Sequence, residues 1–227
     1  MTSVERSVYR VVETFVSING EGAKSGSLAL FIRFHGCNLH CDYCDTEWAN
    51  RDDAPYTEWT DDEIIDLVRE SKVKNVTLTG GEPLIQKDID KLIDRLITET
   101  DCRIEIETNG TISIEKWDGY YNNLSFTLDY KLPGSGVPHF VHTKNYGYLS
   151  EEDTVKFVCS NEEDLDVARE VIEKYSLSEK CNVFLSPVFG KIEPSEIVDY
   201  MMKHRMNGVR LQLQLHKFIW DPEKRGV

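Results

Sequence analysis

From residue 60 onward the chain alternates short β-rich runs with amphipathic segments of helical period, which restricts it to folds whose parallel strands are joined by crossovers. Thr60-Asp61-Asp62-Glu63 has the spacing of a capping box, and Ile64, Ile65, Leu67 and Val68 follow it, predicting a helix from Asp61 to Glu70. Asn75 to Thr79 reads as a strand, followed by a Gly-Gly-Glu-Pro break and a helix carrying Ile89, Leu92, Ile93, Leu96 and Ile97. Further strands are expected over Arg103 to Glu107, Leu124 to Asp129, Thr154 to Cys159 and Asn182 to Ser186, with a helix over Glu162 to Tyr175. Pro194 opens a helix expected to end near Asn207, where Gly208 would supply a left-handed cap before a strand Val209 to Leu213. At the N-terminal end, Tyr9 to Val16 and Leu28 to Phe34 read as a strand pair joined by Asn19-Gly20-Glu21-Gly22. Roughly seven strands with few full helices favour an α/β fold of partial or distorted (βα) barrel type with a largely parallel sheet. No linker, repeat or shift in composition divides the chain, so residues 1–227 are expected to form a single domain. Pro133 to Leu149 has no period and reads as a long loop, a lid or a surface excursion.

Charge narrows the partners. Lys plus Arg number 26 against 40 Asp plus Glu, a net charge of −14, which argues against a broad nucleic-acid footprint. No apolar stretch reaches the roughly 18 residues needed to cross a bilayer, and Met1 to Arg10 is polar. A cytoplasmic protein is therefore expected, and in a reducing compartment its six cysteines point to metal, redox or packing roles rather than disulfides.

Three of those cysteines, Cys37, Cys41 and Cys44, form a Cys-x3-Cys-x2-Cys loop, while Cys102, Cys159 and Cys181 are scattered near expected strands and read as small hydrophobes. Three thiolates on one loop leave a fourth metal position open. A zinc knuckle completed by His35 or His40 is the competing reading of the loop taken alone. Downstream, Thr79-Gly80-Gly81-Glu82-Pro83 follows a strand, where glycine lets backbone amides approach a ligand closely.

Together the two motifs resemble the radical S-adenosylmethionine (SAM) superfamily, in which the cysteines hold a 4Fe-4S cluster and the Gly-Gly-Glu-Pro loop holds the methionine end of SAM. Four further stretches are similar to the 7-carboxy-7-deazaguanine synthase family: Ser17-Ile18-Asn19-Gly20-Glu21-Gly22, Phe31 to Leu39 with Arg33 and Cys37, Cys44-Asp45-Thr46, and Gln214-Leu215-His216-Lys217. The resemblance covers essentially the whole chain. It implies a lyase that converts 6-carboxy-5,6,7,8-tetrahydropterin into 7-carboxy-7-deazaguanine by radical ring contraction with loss of ammonia, in queuosine biosynthesis. A radical SAM activase acting on a protein glycine shares the cluster and the Gly-Gly-Glu-Pro loop, and a non-catalytic zinc module shares the cysteines alone.

The family reading carries residue assignments. Cys37, Cys41 and Cys44 would ligate the cluster and Thr46 a magnesium ion. Tyr43, Asp45, Gly80, Gly81, Glu82, Asp129, Lys131 and Ser186 would line the SAM site. Ile18, Asn19, Gly20, Glu21, Arg33, Thr79 and His216 would line the substrate site, with Arg33 pairing to the substrate carboxylate and Glu21 accepting from pterin N–H groups. Asn19 stands where the family is expected to have glutamine, and ten residues, Phe218 to Val227, follow Lys217. Implied partners are the pterin substrate, an electron donor such as flavodoxin or ferredoxin, and a second copy of the chain in a homodimer.

Overall fold

The structure, a computed structural model, describes residues 6–119, 122–137, 141–222 and 224–227. The first five residues of the polar N-terminal stretch and residues 138–140 of the expected long loop lie outside the described residues.

Among the described residues, nine strands form one sheet: β1 (Val8–Ile18), β2 (Leu28–Phe34), β3 (Thr57–Thr60), β4 (Asn75–Gly80), β5 (Arg103–Thr108), β6 (Leu124–Tyr130), β7 (Thr154–Cys159), β8 (Asn182–Pro187) and β9 (Val209–Leu211). Their spatial order is β3-β1-β2-β4-β5-β6-β7-β8-β9, and every pair from β2 to β9 is parallel. Only β1 runs antiparallel, to β2 on one side and β3 on the other. The sheet is not closed, so the expected partial barrel with a largely parallel sheet is the fold that forms.

Alternation along each strand gives the sheet two unlike faces. Leu30, Ile32 and Phe34 of β2, Val76 and Leu78 of β4, Ile104 and Ile106 of β5, and Val155 and Phe157 of β7 belong to the apolar core. The helices α2 (Asp61–Ser71), α3 (Ile89–Glu99), α4 (Glu162–Tyr175) and α5 (Pro194–His204) bury residues in that core, among them Ile65, Leu96, Leu165 and Ile197. The intervening strand positions carry Arg33, Thr79, Glu105, Glu107, Asp129 and Lys156 and form the opposite, polar face. Helix α2 starts as its sequence dictates: Thr60 Oγ1 accepts from Glu63 N–H, and Thr60 N–H donates to Glu63 Oε2 at 2.7 Å.

Three local expectations change, and one strand forms in a stretch for which none was expected. Helix α5 stops at His204 rather than near Asn207, because Arg205 adopts the left-handed conformation (φ 50°) and Met206 N–H returns to Met201 O at 3.1 Å, a Schellman closure. Gly208 (φ +82°) then turns the chain into β9, which ends at Leu211 rather than Leu213. The polar stretch after the cysteines ends in the edge strand β3, paired to β1 with Trp59 opposite Tyr9. In the long segment after β6, Asn145 is fully buried; its amide donates to Gly110 O and Ile112 O, and its Oδ1 accepts from Ile114 N–H. That half is therefore packed structure rather than a lid.

Replacing Leu96, which has no exposed surface, with alanine is expected to destabilise the fold by about 2–5 kcal/mol, read from the midpoint of urea unfolding.

Candidate functional site

The site is organised by two neighbouring parallel strands. β2 and β4 lie in register with Phe34 opposite Gly80, so the loops leaving their C-terminal ends start side by side. Backbone bonds continue beyond the ladder: Gly81 N–H donates to Phe34 O at 3.3 Å and Glu82 N–H to Gly36 O at 2.9 Å. Gln86 Nε2 adds a bond to His35 O at 2.9 Å. A Cβ at Gly80 would fall on the Phe34 backbone, and one at Gly81 on the Gly36 carbonyl, so both glycines are demanded by close approach.

Glu82 shapes this loop from inside. Its Oε1 accepts from Leu84 N–H at 3.0 Å and Thr108 Oγ1 at 2.8 Å, and its Oε2 from Asn109 N–H at 2.7 Å. Burial raises its pKa, against the lowering effect of those donors. With both oxygens engaged and no exposed surface, the carboxylate ties the loop to the end of β5, so with its N–H given to Gly36 O this residue has only its backbone carbonyl left to face a ligand.

The cysteine loop lies against these glycines. Cys37, Cys41 and Cys44 are free and half-buried, and burial raises the pKa of Cys37 and Cys41, so bound metal must displace their protons. Donors already face the sulfurs: Leu39 N–H at 3.4 Å and Asn109 Nδ2 at 3.9 Å from Cys37 Sγ, and Asn50 Nδ2 at 3.8 Å from Cys44 Sγ. Among the described residues no three His, Cys, Asp or Glu side chains converge on a single-ion site. Three thiols on one loop suit a cluster that takes each sulfur on a different iron. The zinc-knuckle reading also lacks its fourth ligand, because His35 Nε2 lies 3.1 Å from Arg51 O with its ring against Tyr56, and His40 is exposed. Cys102, Cys159 and Cys181 are buried apart from the loop.

Around the thiols, Tyr43 OH donates to Val158 O at 3.2 Å, fastening the loop to β7, while Asp45 is exposed. Thr46 precedes the short helix α1 (Glu47–Asn50), and its Oγ1 is 3.5 Å from both Cys44 Sγ and Gly80 O. Ser186, on the polar face of β8, is 1% exposed and its Oγ has no partner.

The β1–β2 loop lies against the polar face. Ile18 ends β1, and Asn19 is buried, accepting from Thr77 Oγ1 at 3.2 Å and donating to Glu105 Oε2 at 3.5 Å. Gly20 lies against the His216 imidazole, where a Cβ would collide with the ring, and Leu215 N–H donates to Gly20 O at 3.0 Å. Burial lowers the pKa of His216, although Glu21 opposes this. Glu21 Oε2 accepts from Lys156 Nζ at 2.6 Å, and its Oε1 is buried with no partner. Burial favours the neutral acid, but the charge and hydrogen bond of Lys156, helped by the neighbouring Gln214 amide and His216, outweigh it and hold the Glu21 pKa below the usual range.

Arg33 and Thr79 are opposite one another in the β2–β4 ladder. Arg33 Nε donates to Glu13 Oε1 at 2.8 Å, and Thr79 Oγ1 donates to Glu107 Oε2 at 2.7 Å. Asp129 Oδ2 is 2.9 Å from Lys131 Nζ and 3.8 Å from Lys156 Nζ, while its Oδ1 is buried without a partner. The structure thus gathers the cysteine loop, the glycine loop and the floor loop around one polar face. Glu13, Glu105, Glu107 and Lys156 belong to it and were missed from sequence. Their signal was the charged residue at every second position of Arg103–Thr108 and the lone lysine inside Thr154–Cys159.

The radical SAM superfamily profile matches residues 31–129. The chain is 53% identical over 219 residues to the 7-carboxy-7-deazaguanine synthase of Clostridium acetobutylicum, covering 96% of this chain and 99% of that protein. It is 35% identical over 220 residues to the enzyme of the same name from Chlorobaculum tepidum, covering 96% of each. The crystal structure of QueE from Escherichia coli shares the fold at a TM-score of 0.68 and 19% identity, over 91% of this chain and 94% of that one.

Gly81→Ala is expected to push the cysteine loop off the glycine loop. It should lower stability by about 1–3 kcal/mol through overpacking and reduce the iron bound per chain after anaerobic reconstitution, with circular dichroism unchanged.

Proposed function

The chain belongs to the 7-carboxy-7-deazaguanine synthase family of the radical SAM superfamily, and on that footing we propose how its polar face serves the family's reaction. The enzyme is a lyase that converts 6-carboxy-5,6,7,8-tetrahydropterin into 7-carboxy-7-deazaguanine by radical ring contraction with loss of ammonia, in queuosine biosynthesis. The observation that carries the residue assignment is the stitching of the cysteine loop to the glycine loop over a face lined with charged groups.

In this reading Cys37, Cys41 and Cys44 would hold a 4Fe-4S cluster, three thiolates leaving it one position open to SAM. When bound, the cluster supplies the single electron that splits the sulfonium of SAM. Gly80, Gly81 and the Glu82 backbone present the methionine end, with Tyr43, Asp45, Asp129, Lys131 and Ser186 around the rest of the cofactor. The unpartnered Ser186 Oγ and Asp129 Oδ1 are the acceptors or donors a polar ligand would complete.

The substrate lies against the floor loop and β2. Glu21 Oε1 is a bare acceptor on an ionised carboxylate, suited to pterin N–H groups. Ile18, Asn19 and Gly20 bring backbone close to the flat ring, Thr79 and His216 flank it, and Arg33 offers its terminal nitrogens to the carboxylate while Glu13 fixes the plane of the guanidinium through Nε. Thr46, at the rim between Cys44 and Gly80, would offer its hydroxyl oxygen to a magnesium ion. We read residues 1–227 as one domain, because one sheet runs from β3 to β9. A flavodoxin or ferredoxin as reductant, a homodimeric assembly, a cytoplasmic location and the absence of a nucleic-acid partner complete the proposal. No helix among the described residues is long and apolar enough to cross a membrane.

Incubation of anaerobically reconstituted protein with the carboxylated tetrahydropterin, SAM and a reductant is expected to yield the deazaguanine product by mass spectrometry. Cys41→Ala should abolish it, and undiminished product from that variant would refute the cluster assignment. Arg33→Ala is expected to weaken pterin binding by about tenfold or more, the cost of losing a charge-assisted pair, with iron content unchanged; equal affinity in a titration would remove Arg33 from the site.

A further inference from the structure

One buried cation on the polar face has no part in the assignments above. Lys156 sits on β7 beside Asp129 of β6, its partner in the sheet register, and its side chain is 14% exposed. Its ammonium is 2.6 Å from Glu21 Oε2 and 3.8 Å from Asp129 Oδ2. Glu21 belongs to the loop between β1 and β2, and Asp129 to the C-terminal end of β6, so a single ammonium spans the floor of the site and its mouth. Each carboxylate directs one oxygen toward lysine, and the other oxygen, Glu21 Oε1 or Asp129 Oδ1, is buried without a partner. Two bare acceptors on either side of one cation mark two places for ligand donors.

We propose that Lys156 is a positioning residue that couples the substrate half of the site to the SAM half, by holding Glu21 and Asp129 in their ligand-ready orientations through one shared ammonium. This rests on the assignment of Glu21 to the pterin and Asp129 to SAM. Donors arriving at either free oxygen fix that carboxylate and, through it, the ammonium, so the second ligand meets a partner already ordered. The groups facing the ammonium are consistent with a shared role: Glu21, Asp129 and Glu107 attract it, and Lys131 shares Asp129 from the other side. Those attractions overcome desolvation and keep Lys156 charged. Without it, the carboxylates of Glu21, Asp129 and Glu107, with neighbouring Glu105, would repel one another in a poorly solvated space and lose the shared contact that orients them.

The test is the affinity of reconstituted enzyme for SAM, measured by anaerobic equilibrium dialysis without reductant, in the absence and presence of 6-carboxy-5,6,7,8-tetrahydropterin. For the wild-type enzyme the pterin is expected to tighten SAM binding by roughly fivefold or more, a usual coupling between two sites. In K156M the ratio should fall to about one, with each ligand alone bound about tenfold more weakly, as for the loss of one partner from a buried charged set. K156R should restore most of the ratio. A wild-type ratio in K156M, or no coupling in the wild-type enzyme, overturns the proposal. Should K156M fail to load iron, K156Q, which keeps a donor but no charge, takes its place, and a full ratio in that variant overturns the proposal equally. E21Q and D129N separate the two layers of the argument: unchanged pterin affinity in the first and unchanged SAM affinity in the second would reject the carboxylate assignments themselves, whatever the Lys156 variants do.

Discussion

The close approach of two backbones governs the rest of this structure. Phe34–Gly36 and Gly80–Glu82 leave adjacent parallel strands and remain hydrogen-bonded to each other after the strands end. A parallel ladder spaces its strands by about 4.8 Å, and that spacing, carried one turn further by glycine, sets the separation of the cysteine loop from the glycine loop. The loops themselves contribute little rigidity, so the geometry is borrowed from the sheet. Glu82 completes the arrangement by tying the glycine loop to β5 from within, and Tyr43 ties the cysteine loop to β7. Four strands thereby determine where three thiols stand.

The two faces of the sheet meet opposite energetic demands. On the helix side, packing of aliphatic side chains supplies stability, and a deletion there costs a cavity. On the other face, charges held away from water are tolerable only when paired. Glu13 has Arg33, Glu21 has Lys156, and Asp129 has Lys131, so most of the face is satisfied internally. Among the described residues the buried atoms left without a partner on the strands and the floor loop of this face include Glu21 Oε1, Asp129 Oδ1 and Ser186 Oγ, with Asn50 Oδ1 beside Gly81 and Gln212 Nε2 beside the floor loop. A protein interior rarely leaves such atoms bare without a ligand to meet them, and their gathering on one face is what sets it apart from the isolated cases of Tyr146 and His204.

Much of this was legible from sequence, for identifiable reasons. The capping box at Thr60, the helical stripe from Ile89 to Ile97 and the strand pair at the N-terminal end are local patterns, and all formed. The cysteine and glycine motifs were readable because their chemistry requires particular residues at fixed spacing. Lys156, Glu105 and Glu107 were not readable, because a charged residue at alternate positions of a strand is the pattern of a solvent-facing edge; only the curl of neighbouring strands and the floor loop make that face an interior. The end of α5 was misplaced because Arg205 adopts a conformation that sequence rules assign to glycine, and Gly208 three residues later drew the boundary. Asn145 was hidden because its partners, Gly110 to Ile114, lie in a different loop.

The open seam of the barrel explains two features that sequence alone left unaccounted for. No ladder joins β9 to β1, yet Gly22 N–H donates to Gln212 Oε1 at 2.7 Å and Leu215 N–H to Gly20 O at 3.0 Å, so the segment after β9 supplies the bonds a closing strand would have made. Arg225 extends the same closure, its guanidinium 4.1 Å from the centre of the ring of Trp48, which lies in the helix that follows the cysteines. The floor loop is therefore clamped from its outer side by the C-terminal segment and from its inner side by Lys156. Within that clamp Asn19 is 4% exposed and bonded to Thr77 and Glu105, which leaves an added methylene no space without displacing Glu105. The shorter amide is thus matched to internal partners, and on the proposed reading Glu21, held by Lys156, is the side chain of this floor left to meet the substrate.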